Sequence, residues 1–130
     1  MTDDDRLDLA ARLFAAIEAG DVDGVAALYA PDVVVWHNDD GRSQSGAENL
    51  RVLAWLVTHC SDVRYDDVRL SATATGFVQQ HVLRATGPSG QAVEVPACIV
   101  GTCAEGRITR IDEYLDSAHL ASFTASPPTT

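Results

Sequence analysis

Few side chains in this chain have the type and setting for chemistry. The sharpest candidate is His81, within Phe77-Val78-Gln79-Gln80-His81-Val82-Leu83. On a strand, Gln79, His81 and Leu83 share one face, and an imidazole on an apolar face can act as a general base or acid near neutral pH. The plainer reading is a histidine bonded to a neighbouring strand. Asp116 is its expected partner, since a carboxylate beside a histidine fixes the tautomer and stabilises the imidazolium. Asp also caps helices well, and a short terminal turn follows it. The third candidate is His37, which sits between Trp36 and Asn38 at the end of Val33-Val34-Val35. An apolar strand ending in a polar aromatic cluster reads as a pocket wall. Strand alternation lets only one of Trp36 and His37 face inward unless the strand end twists or bulges, and the sequence leaves that choice open.

Other polar residues carry weaker signals. Cys98 is a poor hydrogen-bond donor with no basic neighbour to make it a thiolate, so core packing suits it best. Glu94 shares its strand face. Tyr114 shares a face with Asp116 if no bulge intervenes, and either lines the pocket or packs in the core. His59 and His119 read as helix-end or surface residues, and Asp112 and Glu113 as part of a solvated stripe. No phosphate-binding glycine loop, nucleotide fingerprint or zinc-ligand spacing occurs. No metal and no cofactor are therefore expected, and any enzyme would work with acid–base groups in a dry cavity.

The elements that must position these groups are helices first and strands after. A helix is expected from about Asp4 to Ala19, opened by Thr2 and Asp5 at capping-box spacing, with Leu7, Ala10, Leu13, Phe14 and Ile17 on one face. Gly20 stops it, and Asp21 caps a second helix that ends before Pro31. A strand runs from Val33 to His37, and Asn38 to Gly41 turn. Ser45 and Glu48 make another capping box, opening a helix to about Thr58 that buries Leu50, Leu53, Leu56 and Val57. Strands follow from Asp62, with a change of phase across Asp66 and Asp67 that predicts a bulge. Phe77 to Ala85, Gln91 to Cys103 and Arg107 to Asp116 are the remaining strands, the first two joined by a hairpin loop at Thr86 to Gly90. Residues 1–121 form one domain, and residues 122–130 are expected to be a disordered tail.

The 130 residues are enough for one domain with its own core. The net charge is −10, with nine arginines, no lysine and no basic cluster, which excludes nucleic acid and anionic membrane surfaces as partners. No apolar run approaches the roughly 20 residues of a membrane span, and the acidic start is unlike a signal peptide. A cytoplasmic protein with three reduced cysteines is expected.

Two segments, AGDVDGVAALYAPD (Ala19 to Asp32) and GRITRIDEYLD (Gly106 to Asp116), resemble recurrent stretches of the nuclear transport factor two-like superfamily. That group includes ketosteroid isomerases, limonene epoxide hydrolases and SnoaL-like polyketide cyclases. The resemblance extends over about residues 7 to 121. It implies an α+β fold, a curved antiparallel sheet wrapping the N-terminal helices into a cone around a hydrophobic pocket, with the His81 face turned inward. The isomerases use an Asp base with a Tyr and a protonated Asp as oxyanion donors. By register those positions fall on His37 (base), Leu13 (Tyr) and Cys98 (acid), and all three differ. The epoxide hydrolases hold a water with an Arg, two Asp, a Tyr and an Asn. Asn38 and Asp116 match this set, Trp36 replaces the Tyr, and His81 and Leu83 stand at the Arg and second Asp.

What the resemblance implies is a cofactor-independent acid–base enzyme of isomerase, dehydratase, cyclase or epoxide hydrolase type. Its substrate would be a small hydrophobic molecule such as a steroid, terpenoid or polyketide. His81, Asp116 and His37 would be catalytic, and Trp36, Asn38, Cys98, Tyr114, Leu13 and Leu83 would contact substrate. The alternative is a non-catalytic ligand-binding or dimerisation domain. A homodimer through the outer sheet face is implied too, with Val93, Val95, Ala97 and Ile99 read as outward apolar positions that need cover.

Overall fold

The structure, a computed structural model, describes residues 1–124. Four helices and six strands follow one another as α1 (Asp3–Glu18), α2 (Val22–Leu28), β1 (Tyr29–His37), β2 (Ser43–Ser45), α3 (Gly46–His59), β3 (Ser61–Ala72), β4 (Gly76–Thr86), β5 (Ala92–Ala104), β6 (Arg107–Leu115) and α4 (Ser117–Leu120). A 3₁₀ turn at Ala121–Phe123 follows. The architecture is α+β, a curved open sheet with helices on its inner face, as expected.

The helices form where local signals place them. Thr2 Oγ1 accepts the Asp5 amide at 3.1 Å while Asp5 Oδ2 accepts the Thr2 amide at 2.8 Å, a complete capping box. Leu9, Ala10, Leu13, Phe14 and Ile17 of α1 are buried, the i, i+3, i+4, i+7 stripe of a helix lying on a sheet. The chain leaves α1 through Gly20 at φ +70°, the left-handed stop that glycine tolerates best. Asp21 caps α2, and Ser45 and Glu48 cap α3 reciprocally. In α3 the buried residues are Asn49 and Leu56, while Leu50 and Leu53 are half-buried.

The strand order is β2-β1-β6-β5-β4-β3. Three features depart from expectation. The sheet is mixed rather than antiparallel, because β1 runs parallel to β6, with Val35 beside Ile111 and His37 beside Glu113. A sixth strand, β2, pairs antiparallel with β1 after the Asn38–Gly41 turn. Strand β1 also starts earlier than expected, at Tyr29. Its register against β6 shifts between Tyr29 and Val34, an irregularity that accommodates Pro31, which has no amide hydrogen for the ladder.

The expected bulge in β3 is present. Asp66 pairs with Val82 and Arg69 with Gln80, so Asp67 and Val68 together stand opposite His81, with Asp67 at φ +54°. The core lies between α1 and the concave face, around Leu9, Leu13, Phe77, Ile108, Val25, Val35 and Val93. Gly101 admits Phe77, since a Cβ there would strike the ring.

The domain extends further than expected. Ser122 and Phe123 form the 3₁₀ turn rather than a disordered tail, with Phe123 packed on the core. The rest of the expected tail, residues 125–130, lies outside the described residues. Among the described residues no helix is long and apolar enough to cross a membrane.

Candidate functional site

The concave face encloses a cavity of about 320 Å³, within the range of small-molecule sites. Its walls are mainly apolar: Leu13 and Ile17 from α1, Leu53 and Leu56 from α3, and Val95, Ile99, Ile111 and Leu115 from the sheet. The polar groups, among them Tyr29, His37, Gln44, Tyr65, His81 and Glu113, sit mostly on the sheet side.

The central pair is His37 and Glu113. Alternation along β1 puts Val33, Val35 and His37 inward, and alternation from Ile111 along β6 puts Glu113 and Leu115 inward. Parallel register sets the two side by side, His37 Nε2 lying 3.0 Å from Glu113 Oε1 with both side chains 21% exposed. The Glu113 hydrogen bond holds the imidazole above its usual range, outweighing the opposing effect of burial. Glu113 is the miss in the sequence reading: it faces the cavity instead of joining a solvated stripe. Asp112 does face outward, paired with Arg110 at 2.8 Å. Counting two residues on from Ile111 would have found Glu113. A count that starts at Ile108 is misled by a bulge: Thr102 pairs with Arg110 and Cys103 with Ile108, so Thr109 is passed over and the strand changes phase there.

His81 also lines the cavity, as its face with Gln79 and Leu83 required. It is 4% exposed and packed between aromatic rings, tilted against Tyr65 at 4.5 Å and edge-on to Phe14 at 5.5 Å. Burial pushes its imidazole below the usual range, and the Glu113 charge only partly offsets this. Its ring contact is Gln79, whose Nε2 lies 3.0 Å from His81 Nδ1. The expected partner, Asp116, is elsewhere: its carboxylate accepts the Ala118 amide at 2.9 Å and caps α4, the plainer of its two readings. The reason is alternation, which turns Tyr114 and Asp116 away from the cavity once Glu113 and Leu115 face in.

The same parity corrects several contact residues. Trp36 faces outward, its ring 5.4 Å from that of Tyr114, which is 46% exposed. Cys98 lies between Gln80 and Tyr114 on that outer face. Asn38 closes the edge, its Oδ1 accepting the Leu115 amide at 2.9 Å. Leu13 and Leu83 do line the cavity. Val93, Val95 and Ile99 are buried, and Val95, Ala97 and Ile99 line the cavity, so they are not the outward apolar patch that had been expected.

Three further contributions were not legible. The Tyr29 hydroxyl donates to Asn49 Oδ1 at 2.7 Å, and Asn49 Nδ2 donates to Gln44 Oε1 at 3.3 Å, a polar chain from β1 through α3 to β2 on the cavity wall. Burial raises the phenol of Tyr29, and likewise that of Tyr65, so both stay protonated donors. At the mouth, Trp55 of α3 stacks on His59 and meets Phe123 edge-on at 6.3 Å, with Val52 and Leu120 beside them. The segment carrying Phe123 is anchored by buried Gln91, whose Nε2 donates to the carbonyls of Ser122 and Phe123 at 3.2 and 2.9 Å. Among the described residues no group of three or more His, Cys, Asp or Glu side chains could hold a metal ion.

The fold agrees with the comparisons. The model of the SnoaL-like domain matches residues 10–111. The uncharacterized protein Rv0034 of Mycobacterium tuberculosis is 35% identical over 134 residues, covering 96% of this chain and 100% of that protein. Among solved structures, a candidate polyketide cyclase of Xanthomonas campestris pv. campestris superposes with a TM-score of 0.80 at 20% identity, covering 93% of this chain and 98% of that one. An epoxide hydrolase of M. tuberculosis, of the LEH-like kind, gives 0.74 at 18% identity, with 95% of each chain covered. At such identities the structural likeness establishes the fold and leaves the reaction to the site.

Proposed function

The chain belongs to the SnoaL-like domain family, and from that premise we propose a cytoplasmic, cofactor-independent acid–base enzyme acting on a small hydrophobic substrate. The reaction is a proton transfer of the kind used in isomerisation, dehydration or cyclisation. One observation carries this reading: an imidazole and a carboxylate 3.0 Å apart on the wall of a mainly apolar cavity. Glu113 occupies Nε2 of His37, which leaves Nδ1 as the nitrogen that exchanges a proton with substrate. The apolar wall supplies binding and excludes water, and positioning there contributes much of the rate.

A racemase-like assay tests this without knowing the natural substrate. Cyclic ketones and enones are incubated in deuterium oxide, and exchange at the carbon next to the carbonyl is followed by NMR. His37→Ala is expected to lose about 10²- to 10⁴-fold of the exchange rate. Asp116→Ala, which removes only a helix cap, keeps it. An unchanged rate in His37→Ala overturns the assignment.

A second reading has one observation in its favour. Leu13 stands where the isomerases place a Tyr and Cys98 is turned outward, so the isomerase site is not assembled. A non-catalytic ligand-binding domain would bind such ketones and return them unexchanged.

The homodimer belongs to the same proposal, with the outer face around Trp36 and Tyr114 as its contact. Sedimentation at micromolar concentration is expected to give twice the 13.9 kDa chain mass. A monomer there contradicts it.

A further inference from the structure

The cavity carries an imbalance of charge that the acid–base reading does not use. The chain has nine arginines and no lysine, and none of the arginines lines the cavity. Among the described residues, the carboxylates and imidazoles of the lining are Asp39, Asp40, Glu113, His37 and His81. Glu113 is matched by His37 at 3.0 Å. Asp39 and Asp40, in the turn that leaves β1, have no such match, since among the described residues neither is ion-paired with an arginine or a histidine. Arg42 gives its backbone amide to Asp40 Oδ1 at 2.8 Å, but its side chain is not part of the lining. The field of the two carboxylates still reaches the wall, where both help to hold the His37 imidazole above its usual range.

A second feature of the same cavity points independently to a polar ligand. His81 is 4% exposed, and its Nδ1 is taken up by Gln79 at 3.0 Å. Among the described residues Nε2 has no protein partner, and the one sealed side-chain nitrogen or oxygen in that state is Arg6 Nε. His81 Nε2 therefore opens on the cavity that its ring lines. Buried polar atoms are nearly always satisfied, and a ligand group that both donates and accepts answers Nε2 in either tautomer. Burial keeps this imidazole uncharged near neutral pH, so it does not repel a cation.

We propose that the cavity takes a small hydrophobic amine in its protonated form, with the ammonium at the Asp39–Asp40 turn and the apolar body against Leu13, Leu53, Val95 and Ile111. This inference rests on the acid–base reading only in that the cavity is a ligand site, and it deepens that reading by naming the substrate class. An anionic ligand would enter among three carboxylates with no arginine to meet it. A neutral one would gain nothing from the turn. Trp55 and Phe123 line the same cavity, and aromatic faces attract ammonium groups. The net charge of −10 draws cations toward the mouth before contact.

Three ligands with one cage and different head groups test this: 1-adamantylamine, 1-adamantanol and adamantane-1-carboxylate. Calorimetric titration of the whole protein near pH 7 and low ionic strength reads their affinities. An exposed carboxylate contributes a few-fold, so the amine is expected to bind about tenfold more tightly than the alcohol. The carboxylate should bind most weakly, and added salt should shrink the lead of the amine. In the double variant Asp39→Asn, Asp40→Asn that lead should vanish while the alcohol binds as before. Asparagine keeps the oxygen that accepts the Arg42 amide, and the alcohol reports that the cavity is intact. An alcohol or carboxylate that binds as tightly as the amine overturns the proposal. So does a lead that survives in the double variant, or a wild type that binds none of the three. The readout is affinity and not turnover, so its failure is separable from that of the His37 assignment, which deuterium exchange of ketones judges by itself.

Discussion

At the scale of single residues, two histidines on one wall are pushed in opposite directions. Glu113 raises His37 through a hydrogen bond, and burial lowers His81. Two groups with opposed shifts in one cavity are the pattern by which a single site runs acid and base chemistry together. The sign for His37 as base is plain: its unprotonated fraction grows as pH rises through a value above the usual 6.5 or so of histidine. Exchange activity should therefore climb on the alkaline side of neutrality. Replacing Glu113 by Gln removes the largest of the charges that favour the imidazolium, Asp39 and Asp40 being the others, so the His37 titration and the rising limb of the rate profile should both move to lower pH. NMR titration of His37 and a pH–rate profile check the two together. A limb that stays in place would mean that another group carries the proton.

Among secondary-structure elements, the mouth is closed by a segment of little intrinsic stability. Helix α4 has four residues and the following turn three, far below the length at which a helix holds by itself. What holds them is Gln91, with two hydrogen bonds to the carbonyls of Ser122 and Phe123, its Oε1 accepting the Ser89 amide at 2.8 Å. The hairpin loop is shaped for this, since a Cβ on Gly87 would strike the Gln91 amide. Gln91→Ala should cost about 1–3 kcal/mol locally, the loss of two hydrogen bonds inside a partly buried site. Hydrogen exchange should speed up at residues 119–123 while α1 and β4 stay protected. Uniform acceleration over the whole chain would mean that Gln91 supports the fold and not the mouth.

For the whole molecule, the two histidines bracket the pH of greatest stability. His37 is raised in the folded state, so its contribution is complete below the unfolded value of about 6.5 and is lost as pH rises through the folded value. His81 is lowered, so the unfolded chain binds its proton first on acidification. Its contribution is complete above about 6.5 and is lost as pH falls toward the folded value. Urea unfolding across pH 5 to 9 should show both slopes, with the alkaline one abolished in His37→Ala. An alkaline slope that persists in that variant would place its origin outside the His37–Glu113 pair.

Much of the fold was written locally. Caps at Thr2, Asp21 and Ser45, the stop at Gly20 and the phase change at Asp66 and Asp67 are short-range signals, and each appears at its position. So does the shared face of Gln79, His81 and Leu83, because period-2 alternation needs only neighbouring residues. The pairing of β1 with β6 could not be read this way. Those strands lie some seventy residues apart, and nothing in either says that they will run parallel with His37 beside Glu113. The choice between Trp36 and His37 and the outward turn of Asp116 follow from that pairing and from the bulge at Thr109, and the arrival of Phe123 at Trp55 from the long-range anchor at Gln91. The sequence by itself determined most of the elements and the family. Which polar groups meet inside the cone was decided only by tertiary structure, because one shift of strand phase exchanges every inward side chain for its outward neighbour.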